Sequence, residues 1–471
     1  MVDTLFQEVR VRGRRCDVRV ADGVVTHIGP GLPVEGARVI TGGDGALLPG
    51  LHEHHCHLLA CAAAADSVSC GPPQVRTAAH LHDVLSSAAT EVGATAWIRG
   101  VGYDESVAGA LDRAALDRST GAIPTRVQHR GGSVWYLNSA AITALDLDIT
   151  GPPGTERDAA GYATGRLWRA DRWLGEHVPS RAAPDLGALG RALASYGVTG
   201  VTDATPELTE SSTELLLGAH ESGVLPQRLT VLGAANRAMR SAGVLDGPRK
   251  IVVSDHELPA LDELIATIRS ARAATDAPGT VAVHSVTRES LFLTLTALAE
   301  VGTLPGDRIE HAAVAPDEAI DILRELRLVV VTQPSLLALR GDDYLERAEP
   351  GDREILWRYG AFLAAGVPVY CSGDAPYGAL DPWVSIAAAT RRTTPKGRVV
   401  GAQERVSAET ALSAYFAHPE LDGRARTVTV GAPADLVLLD RTLEQALHDP
   451  DSRCVQRTFI SGREVFDREN A

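Results

Sequence analysis

Eight short apolar segments, separated by stretches of helical periodicity, constrain the fold of this chain more than any other feature. The first segment ends at His55-Cys56-His57, and roughly 140 residues separate it from the second. Strands that alternate with helices form a parallel sheet, and eight of them predict an α/β protein with a (β/α)8 barrel. The other seven predicted strands cover residues 197–203, 228–232, 249–253, 280–284, 307–311, 328–333 and 367–374.

The two ends of the chain share a different pattern. Residues 1–47 and 427–471 contain short runs of alternating polar and apolar residues broken by glycine, which is typical of antiparallel strands. Neither end is long enough to close a core alone, so we predict one small β-sandwich built from both. Residues 48–426 then form the barrel, with a cap insertion after strand one at about 60–190 that carries four of the six tryptophans.

Composition argues against several classes of function. The net charge of -15 is unfavourable for binding nucleic acid or an anionic membrane surface. No segment approaches the roughly 18–20 apolar residues of a membrane span, and no secretory leader pattern opens the sequence. The six cysteines are scattered, which in a long chain predicts reduced thiols and a cytoplasmic protein.

Side chains that bind metals follow the ends of several predicted strands. His55 and His57 are two residues apart, so an extended backbone places both imidazoles on one face. His284, His311 and Asp374 end the predicted strands five, six and eight. Active sites of (β/α)8 enzymes lie at the carboxyl ends of the strands, and imidazole is the commonest metal ligand. We therefore expect one metal site at this rim.

Lysine is rare in this chain. Of the 45 basic residues other than histidine, only Lys250 and Lys396 are lysines. Arginine is never deprotonated in proteins, whereas a buried lysine can lose its proton, so a lysine retained in an arginine-rich chain is a candidate for special chemistry. Lys250 begins the predicted fourth strand and joins the candidate ligands, whereas Lys396 lies in a Pro-Lys-Gly loop and is interpreted as incidental.

These motifs, taken in order, resemble the amidohydrolase superfamily. Within it they resemble the long amidohydrolases with a cap after strand one, amidohydrolase family 3, which includes enzymes like N-substituted formamide deformylase. The matching segments are Pro49-Gly50-Leu51-His52-Glu53-His54-His55-Cys56-His57, Lys250-Ile251-Val252, Val283-His284-Ser285, Arg308-Ile309-Glu310-His311-Ala312, Ser372-Gly373-Asp374-Ala375-Pro376 and Gly431-Ala432-Pro433-Ala434-Asp435-Leu436-Val437.

The resemblance implies attack on a carbon–nitrogen bond by a metal-bound hydroxide. It implies two divalent ions, with zinc as the expected metal, bridged by a carboxylated Lys250; a single ion beside an uncarboxylated lysine stays open. The implied ligands are His55, His57 and Asp374 for the first ion and His284 and His311 for the second.

The same resemblance implies roles in catalysis. Asp374 would take a proton from the attacking water and pass it to the departing nitrogen. The second ion, or a histidine for which His311 is the candidate, would polarise the substrate carbonyl. A structural alternative for Asp374 is the N-cap of the helix after strand eight, because Ser-Gly-Asp-Ala-Pro suits a cap.

Other residues of the first motif have simpler interpretations. Glu53 stands where the family usually has aspartate, which predicts a residue outside the ligand shell. Cys56 is expected to point away into the barrel wall, although thiolate ligation is an alternative. His52 and His54 are interpreted as packing or surface residues.

The cap segment 127–139 resembles the family's cap motif, which would lie over the metal site. It has Gly132-Ser133 where relatives often have Gly-His, which puts the substrate class in doubt. A pocket with tryptophan and arginine walls suits an aromatic or planar amide, or one bearing a carboxylate. The candidate substrate contacts, for which simple packing is an equal alternative, are Tyr103, His129, Arg130 and Trp135.

The most specific function that these features support is hydrolysis of a small amide, an N-acyl or N-formyl amine. Alternatives are a cyclic amidohydrolase, a heterocycle deaminase, or a peptide-tailoring amidohydrolase of a biosynthetic pathway. Deaminases of the superfamily use a glutamate after strand five, and Glu289 is expected to lie too far into the following helix. A non-catalytic scaffold is disfavoured because no ligand is missing, and analogy leaves a homodimer open.

Overall fold

The computed structural model describes residues 3–92, 96–179, 183–206, 208–233, 236–255, 257–273 and 279–470. The chain divides into two compact units. Unit 1 comprises Met1–Leu58 and Leu186–Ala471, and unit 2 comprises Leu59–Asp185. Unit 2 corresponds in position to the insertion that the sequence predicts at about 60–190.

The amino-terminal part of unit 1 is a four-stranded sheet of order β3-β2-β1-β4. Strand β1 pairs antiparallel with β2 and parallel with β4. A further short strand, β5, leads into the buried strand β6. The bounds are β1 (Asp3–Val11), β2 (Arg14–Ala21), β3 (Val24–Gly29), β4 (Ala37–Thr41), β5 (Leu47–Pro49) and β6 (Leu51–Cys56).

Unit 2 is built on a six-stranded sheet of order β11-β12-β10-β9-β8-β7. Adjacent residues of β10 point to opposite faces, and Trp135 and Tyr136 belong to two separate clusters of buried apolar side chains. The elements from residue 58 to 177 are α1 (Leu58–Ala65), β7 (Val68–Ser69), α2 (Ala78–Glu91), β8 (Ile98–Tyr103), α3 (Glu105–Ala108), α4 (Arg113–Thr120), β9 (Thr125–His129), β10 (Val134–Leu137), α5 (Ser139–Ala144), β11 (Thr155–Arg157), β12 (Ala163–Trp168) and α6 (Asp171–His177).

Strands and helices then alternate through unit 1. The elements are α7 (Leu186–Ser195), β13 (Val198–Asp203), α8 (Glu210–Glu221), β14 (Arg228–Val231), α9 (Arg237–Ser241), β15 (Leu245–Asp246), β16 (Arg249–Val252), α10 (Leu261–Ala273), β17 (Val281–Ser285), α11 (Arg288–Val301), β18 (Arg308–His311), α12 (Asp317–Glu325), β19 (Val329–Thr332), α13 (Ser335–Arg347), α14 (Gly360–Ala364), β20 (Val369–Cys371), α15 (Pro382–Arg391) and α16 (Ala408–Ala414). Short 3-10 helices cover Arg353–Ile355, Ala402–Glu404 and Ser452–Cys454.

The alternating strands are parallel and lie in two sheets, β15-β14-β13-β6 and β16-β17-β18-β19-β20. The sheets meet beside β6, where the backbone N–H of Asp374 donates to the carbonyl of His55 (3.0 Å) and that of His57 donates to Ala375 (2.9 Å). No hydrogen-bonded ladder joins the described strands β15 and β16, so a continuous closed ring is not formed there. All eight predicted strands are present, and the α/β class is confirmed.

The carboxyl-terminal strands form a sheet of order β23-β22-β21-β5. The rings of Phe6 and Phe459 meet edge to face at 4.9 Å within one hydrophobic cluster that draws on both chain ends. Among the described residues, no helix combines the length and apolar character that crossing a bilayer requires. The last elements are β21 (Leu436–Leu439), α17 (Leu443–His448), β22 (Val455–Ile460) and β23 (Arg463–Asp467).

Candidate metal centre

Donor atoms of three predicted ligands converge at the carboxyl end of β6. The Nε2 atoms of His55 and His57 each lie 3.4 Å from Oδ1 of Asp374. One ligand atom from each of the three residues lies within 4.8 Å of the others. Asp374 reaches this position because its backbone hydrogen bond to His55 fastens the segment after β20 beside β6.

The other three predicted ligands surround this group. Nζ of Lys250 lies 3.2 Å from Nε2 of His55. Nδ1 of His311 lies 4.0 Å from Oδ2 of Asp374, and the ring centroids of His311 and His284 are 4.5 Å apart. The structure therefore brings together, in unit 1, all six residues that the sequence selects as metal ligands.

The chemistry of this donor set suits a divalent cation. Burial, and after it the charge of Lys250, lowers the pKa of His55 to about 3, so the imidazole is neutral and able to donate a lone pair. Burial raises the pKa of Asp374, but His55, His57 and His311 lower it by more, so the net pKa lies below its usual value and the carboxylate is ionised.

A buried carboxylate oxygen without a hydrogen-bond partner also suits a cation ligand. Oδ1 of Asp374 accepts no hydrogen bond of acceptable geometry from the described residues, although two imidazole nitrogens lie 3.4 Å away. Buried carboxylate oxygens are rarely left unsatisfied, and a metal ion would satisfy this one. The residues present therefore fit the metal that the motif series implies.

Lys250 has surroundings that suit a reactive amine. Its side chain is buried, and burial lowers its pKa to about 8. A larger fraction of the amine is therefore neutral near pH 7 than for an exposed lysine, and arginine could not supply such a group.

A buried ion pair lies behind His55. Nδ1 of His55 donates to Oε2 of Glu310, and Nε of Arg308 donates to Oε1 of the same carboxylate. From the sequence, only His311 of this motif is predicted to have a function, and neither Arg308 nor Glu310 is given one. A signal was present, because Arg308 and Glu310 are two residues apart on β18 and so share a strand face.

His311 has a different acceptor behind it. Its Nδ1 donates to Oε1 of Gln333 (2.7 Å), and the amide nitrogen of Gln333 donates to Oγ of Ser372 (2.8 Å). The backbone of His311 has φ +76°, a left-handed conformation that non-glycine residues rarely adopt. Strict alternation therefore ends at His311, and this allows both Glu310 and His311 to serve the same site.

Glu53, which was expected outside the ligand shell, is a buried clamp. Its carboxylate accepts the backbone N–H of His55 (3.0 Å) and that of Gly373 (3.1 Å), and burial raises its pKa to about 8. A Cβ on Gly373 would lie 1.8 Å from the carbonyl oxygen of Ala379, so only glycine fits there. The clamp ties the strand that carries His55 to the residue before Asp374.

The remaining residues of the first motif face away from this group. Nε2 of His52 hydrogen-bonds Oγ1 of Thr202 (2.8 Å), and Nε2 of His54 hydrogen-bonds the carbonyl of Ala414 (3.1 Å). Both imidazoles are buried, as a packing role requires. Cys56 is also buried and does not belong to the group of converging donor atoms within the described ranges.

The helix-cap alternative for Asp374 is wrong. Helix α15 begins at Pro382, and its N-cap is Asp381, whose side chain accepts the backbone N–H of Trp383 (2.8 Å). The carbonyl of Asp374 instead closes a turn to Gly378, which delays the helix. Glu289 was expected to lie too far into α11, but it lies in the first turn of that helix, with its side chain exposed.

Each of the four predicted substrate contacts has a polar partner inside unit 2. Tyr103 and Trp135 are also almost completely buried there. Their part in substrate binding therefore stays a prediction. The pairs are Tyr103 Oη to Gly109 O (2.6 Å), Trp135 Nε1 to Asp171 Oδ1 (2.9 Å), His129 Nε2 to Glu105 Oε2 (3.2 Å) and Arg130 Nε to Asp104 Oδ2 (3.0 Å).

Comparison with known proteins adds a family and a shared fold. Residues 38–466 match the model of the Amidohydrolase family. An N-substituted formamide deformylase of Arthrobacter pascens is 25% identical over 515 aligned positions, covering 96% of this chain and 95% of that protein.

Two solved structures are similar over nearly their whole length. Both are described as uncharacterized metal-dependent hydrolases, one from Pyrococcus horikoshii and one from Pyrococcus furiosus. The first has a TM-score of 0.72 at 18% identity and covers 93% of this chain and 97% of its own. The second has a TM-score of 0.68 at 20% identity and covers 93% and 99%. At these identities the similarity shows the fold alone.

Proposed function

Because the chain belongs to the amidohydrolase family, we propose that it hydrolyses the carbon–nitrogen bond of a small N-formyl or N-acyl amine. Amidohydrolases are metal-dependent hydrolases of such bonds, so membership confirms the enzyme class predicted from sequence. The observation that carries the proposal is the convergence of imidazoles and a carboxylate from the carboxyl ends of the strands with the buried lysine of β16.

The proposed architecture is a (β/α)8 barrel with a composite β-sandwich and a cap. The eight predicted strands, together with the additional two-residue strand β15, form the two parallel sheets that support the barrel. The hydrophobic cluster that combines both chain ends supports the sandwich, and the separate unit Leu59–Asp185 supports the cap.

In this proposal zinc or a similar divalent ion is held by imidazole and carboxylate donors. When bound, such an ion acidifies water and polarises an amide carbonyl. A carbamate formed on Lys250 would supply an anionic ligand that two ions could share, and a single ion beside the free amine is the alternative. The residues that would hold one ion are His55, His57 and Asp374, and those that would hold the other are His284 and His311, with Lys250 as the shared ligand.

In the proposed reaction Asp374 transfers a proton, and His311 directs a ring nitrogen at the site. Asp374, ionised and buried, takes a proton from the attacking water on its carboxylate and delivers it to the departing nitrogen. His311 donates from Nδ1 to Gln333, so its Nε2 is the nitrogen available to the site. The balanced reaction consumes one amide and one water and yields one amine and one carboxylic acid, which is formic acid for an N-formyl amine.

The proposed substrate class rests on the similarity to the N-substituted formamide deformylase of Arthrobacter pascens, which matches nearly the whole chain. The cap residues Tyr103, His129, Arg130 and Trp135 stay the proposed substrate contacts. A heterocycle deaminase is disfavoured because Glu289 is exposed on α11.

A substrate screen tests this proposal. The purified chain, loaded with zinc, is incubated with matched N-formyl, N-acetyl and cyclic amides and with amino-substituted heterocycles, and released amine and acid are quantified. We expect equal amounts of amine and acid from N-formyl or N-acyl amines, and none after chelation of the metal. Ammonia released from heterocycles alone, or ring opening of cyclic amides alone, would contradict the proposal.

A further inference from the structure

Arg308 and Glu310 form a charged pair inside the protein, away from solvent. Their relative exposures are 1% and 0%. The two oxygens of Glu310 serve different partners, since Oε1 accepts from Arg308 and Oε2 accepts from Nδ1 of His55. Arg308 also donates from Nη2 to the carbonyl of His54 (3.3 Å), so the pair contacts both the imidazole of His55 and the backbone beside it.

Stability alone does not explain such a pair. Removing two charges from water can cost more than their attraction returns, and apolar replacements of buried pairs are often neutral or stabilising. Here the cost is increased, because Nη1 of Arg308 is buried without a hydrogen-bond partner among the described residues. A role in orienting His55 accounts for the retention of both charges.

The geometry defines what the carboxylate does to His55. A hydrogen bond from Nδ1 to Glu310 places the ring proton on Nδ1 and leaves the lone pair on Nε2. That Nε2 atom lies 3.2 Å from Nζ of Lys250 and 3.4 Å from Oδ1 of Asp374. The donor atom therefore faces the cluster of candidate ligands.

The second imidazole shows that a neutral acceptor could orient a ring. His311 donates from Nδ1 to the amide oxygen of Gln333. An ionised carboxylate does more than orient, because it makes the imidazole a stronger donor to a cation. The charged acceptor is found behind His55, which also contacts Lys250 and Asp374.

We propose that Arg308 and Glu310 act as a positioning pair, in which Glu310 fixes the tautomer and raises the metal affinity of His55 and Arg308 holds Glu310 in place. This inference rests on the proposed metal-dependent function. It does not depend on which amide is hydrolysed, because the property affected is metal binding.

Metal affinity of Glu310→Gln tests the pair. The apparent dissociation constants for zinc and cobalt are measured by competition with a chromogenic chelator, together with the visible spectrum of the cobalt form. We expect about 10–100-fold weaker binding and an altered cobalt spectrum. Glu310→Asp, which retains the charge, should recover part of the affinity.

Asp307→Asn is the matched control. Asp307 is fully buried and pairs with Arg272, but it precedes the first residue of β18, whereas His311 ends that strand at the site. The metal affinity of Asp307→Asn should equal that of the unmodified chain. Unchanged affinity in Glu310→Gln, or an equal loss in Asp307→Asn, would overturn the proposal.

A measurement on the unmodified chain covers the case in which the variants fail to fold. Nitrogen-15 spectra of histidine-labelled protein, with the His55 signals assigned by difference from His55→Gln, report the tautomer directly. We expect the Nδ1–H form in the metal-free protein, and an Nε2–H form would refute the assignment. If the metal affinities and the His55 tautomer match these expectations but no amide is hydrolysed, the positioning role stands and the substrate proposal fails.

Discussion

Two buried glutamates contact the same histidine, yet their electrostatic states differ. Glu53 accepts the backbone N–H of His55 and Glu310 accepts its ring N–H. Burial raises the pKa of Glu53 to about 8, and the backbone N–H groups of His55 and Gly373 lower it only in part. Burial also raises the pKa of Glu310, but Arg308, then His55 and Lys250, outweigh that effect and hold it well below the usual value.

The difference teaches how one residue type serves two purposes at one site. Glu53, largely protonated at neutral pH, connects β6 to the segment before Asp374. Glu310 keeps its charge and directs it at a candidate ligand. Position along the strands and the proximity of Arg308 decide between these roles.

The severest test removes the amine that lies beside Nε2 of His55. Lys250→Arg should lose bound metal and hydrolytic activity together, because a guanidinium stays charged and cannot form a carbamate bridge. Metal content and turnover are measured on the same preparation. If the variant retains both, the bridging role of Lys250 is wrong.

Asp374→Asn should have the next largest effect on turnover. The amide retains an oxygen donor for the metal but cannot accept and return a proton, so turnover should fall about 100–10,000-fold. Metal content should stay close to that of the unmodified chain. Loss of metal with no separate effect on turnover would instead assign Asp374 only a ligand role.

Glu53→Gln sharpens the comparison between the two glutamates. Because Glu53 is largely uncharged, the amide should change metal affinity by less than about threefold, while altered hydrogen bonds to His55 and Gly373 reduce stability by about 1 kcal/mol. Chelator competition and thermal unfolding measure the two effects. An affinity loss equal to that of Glu310→Gln would remove the distinction.

The smallest effect is expected at Gln333. Gln333→Ala removes a neutral acceptor from His311, so metal affinity should weaken by less than about tenfold, at the low end for residues behind a ligand. The same chelator competition applies. A loss greater than that of Glu310→Gln would reverse the ranking of charged over neutral acceptors.

Sequence patterns predicted the residues at strand ends well. The eight strands follow from hydrophobic runs, and the six side chains that the structure brings together follow from the order of the motifs. The partners behind the imidazoles were missed because His55 and Glu310 are 255 positions apart, and no pattern joins them.

Backbone detail was also beyond the sequence. Regular strand alternation would place the side chains of Glu310 and His311 on opposite faces. The left-handed backbone of His311 breaks that alternation, and no glycine marks it in the sequence. The turn after Asp374 likewise moves the helix start to Pro382, which transfers the cap to Asp381. Tertiary contacts determine both features.

Metal analysis of the purified chain tests the central claim most directly. After chelation and reloading with zinc, elemental analysis should find about one or two tightly bound ions per chain, and Lys250→Arg should lose them. A chain that folds normally yet binds no divalent ion above background would contradict the account.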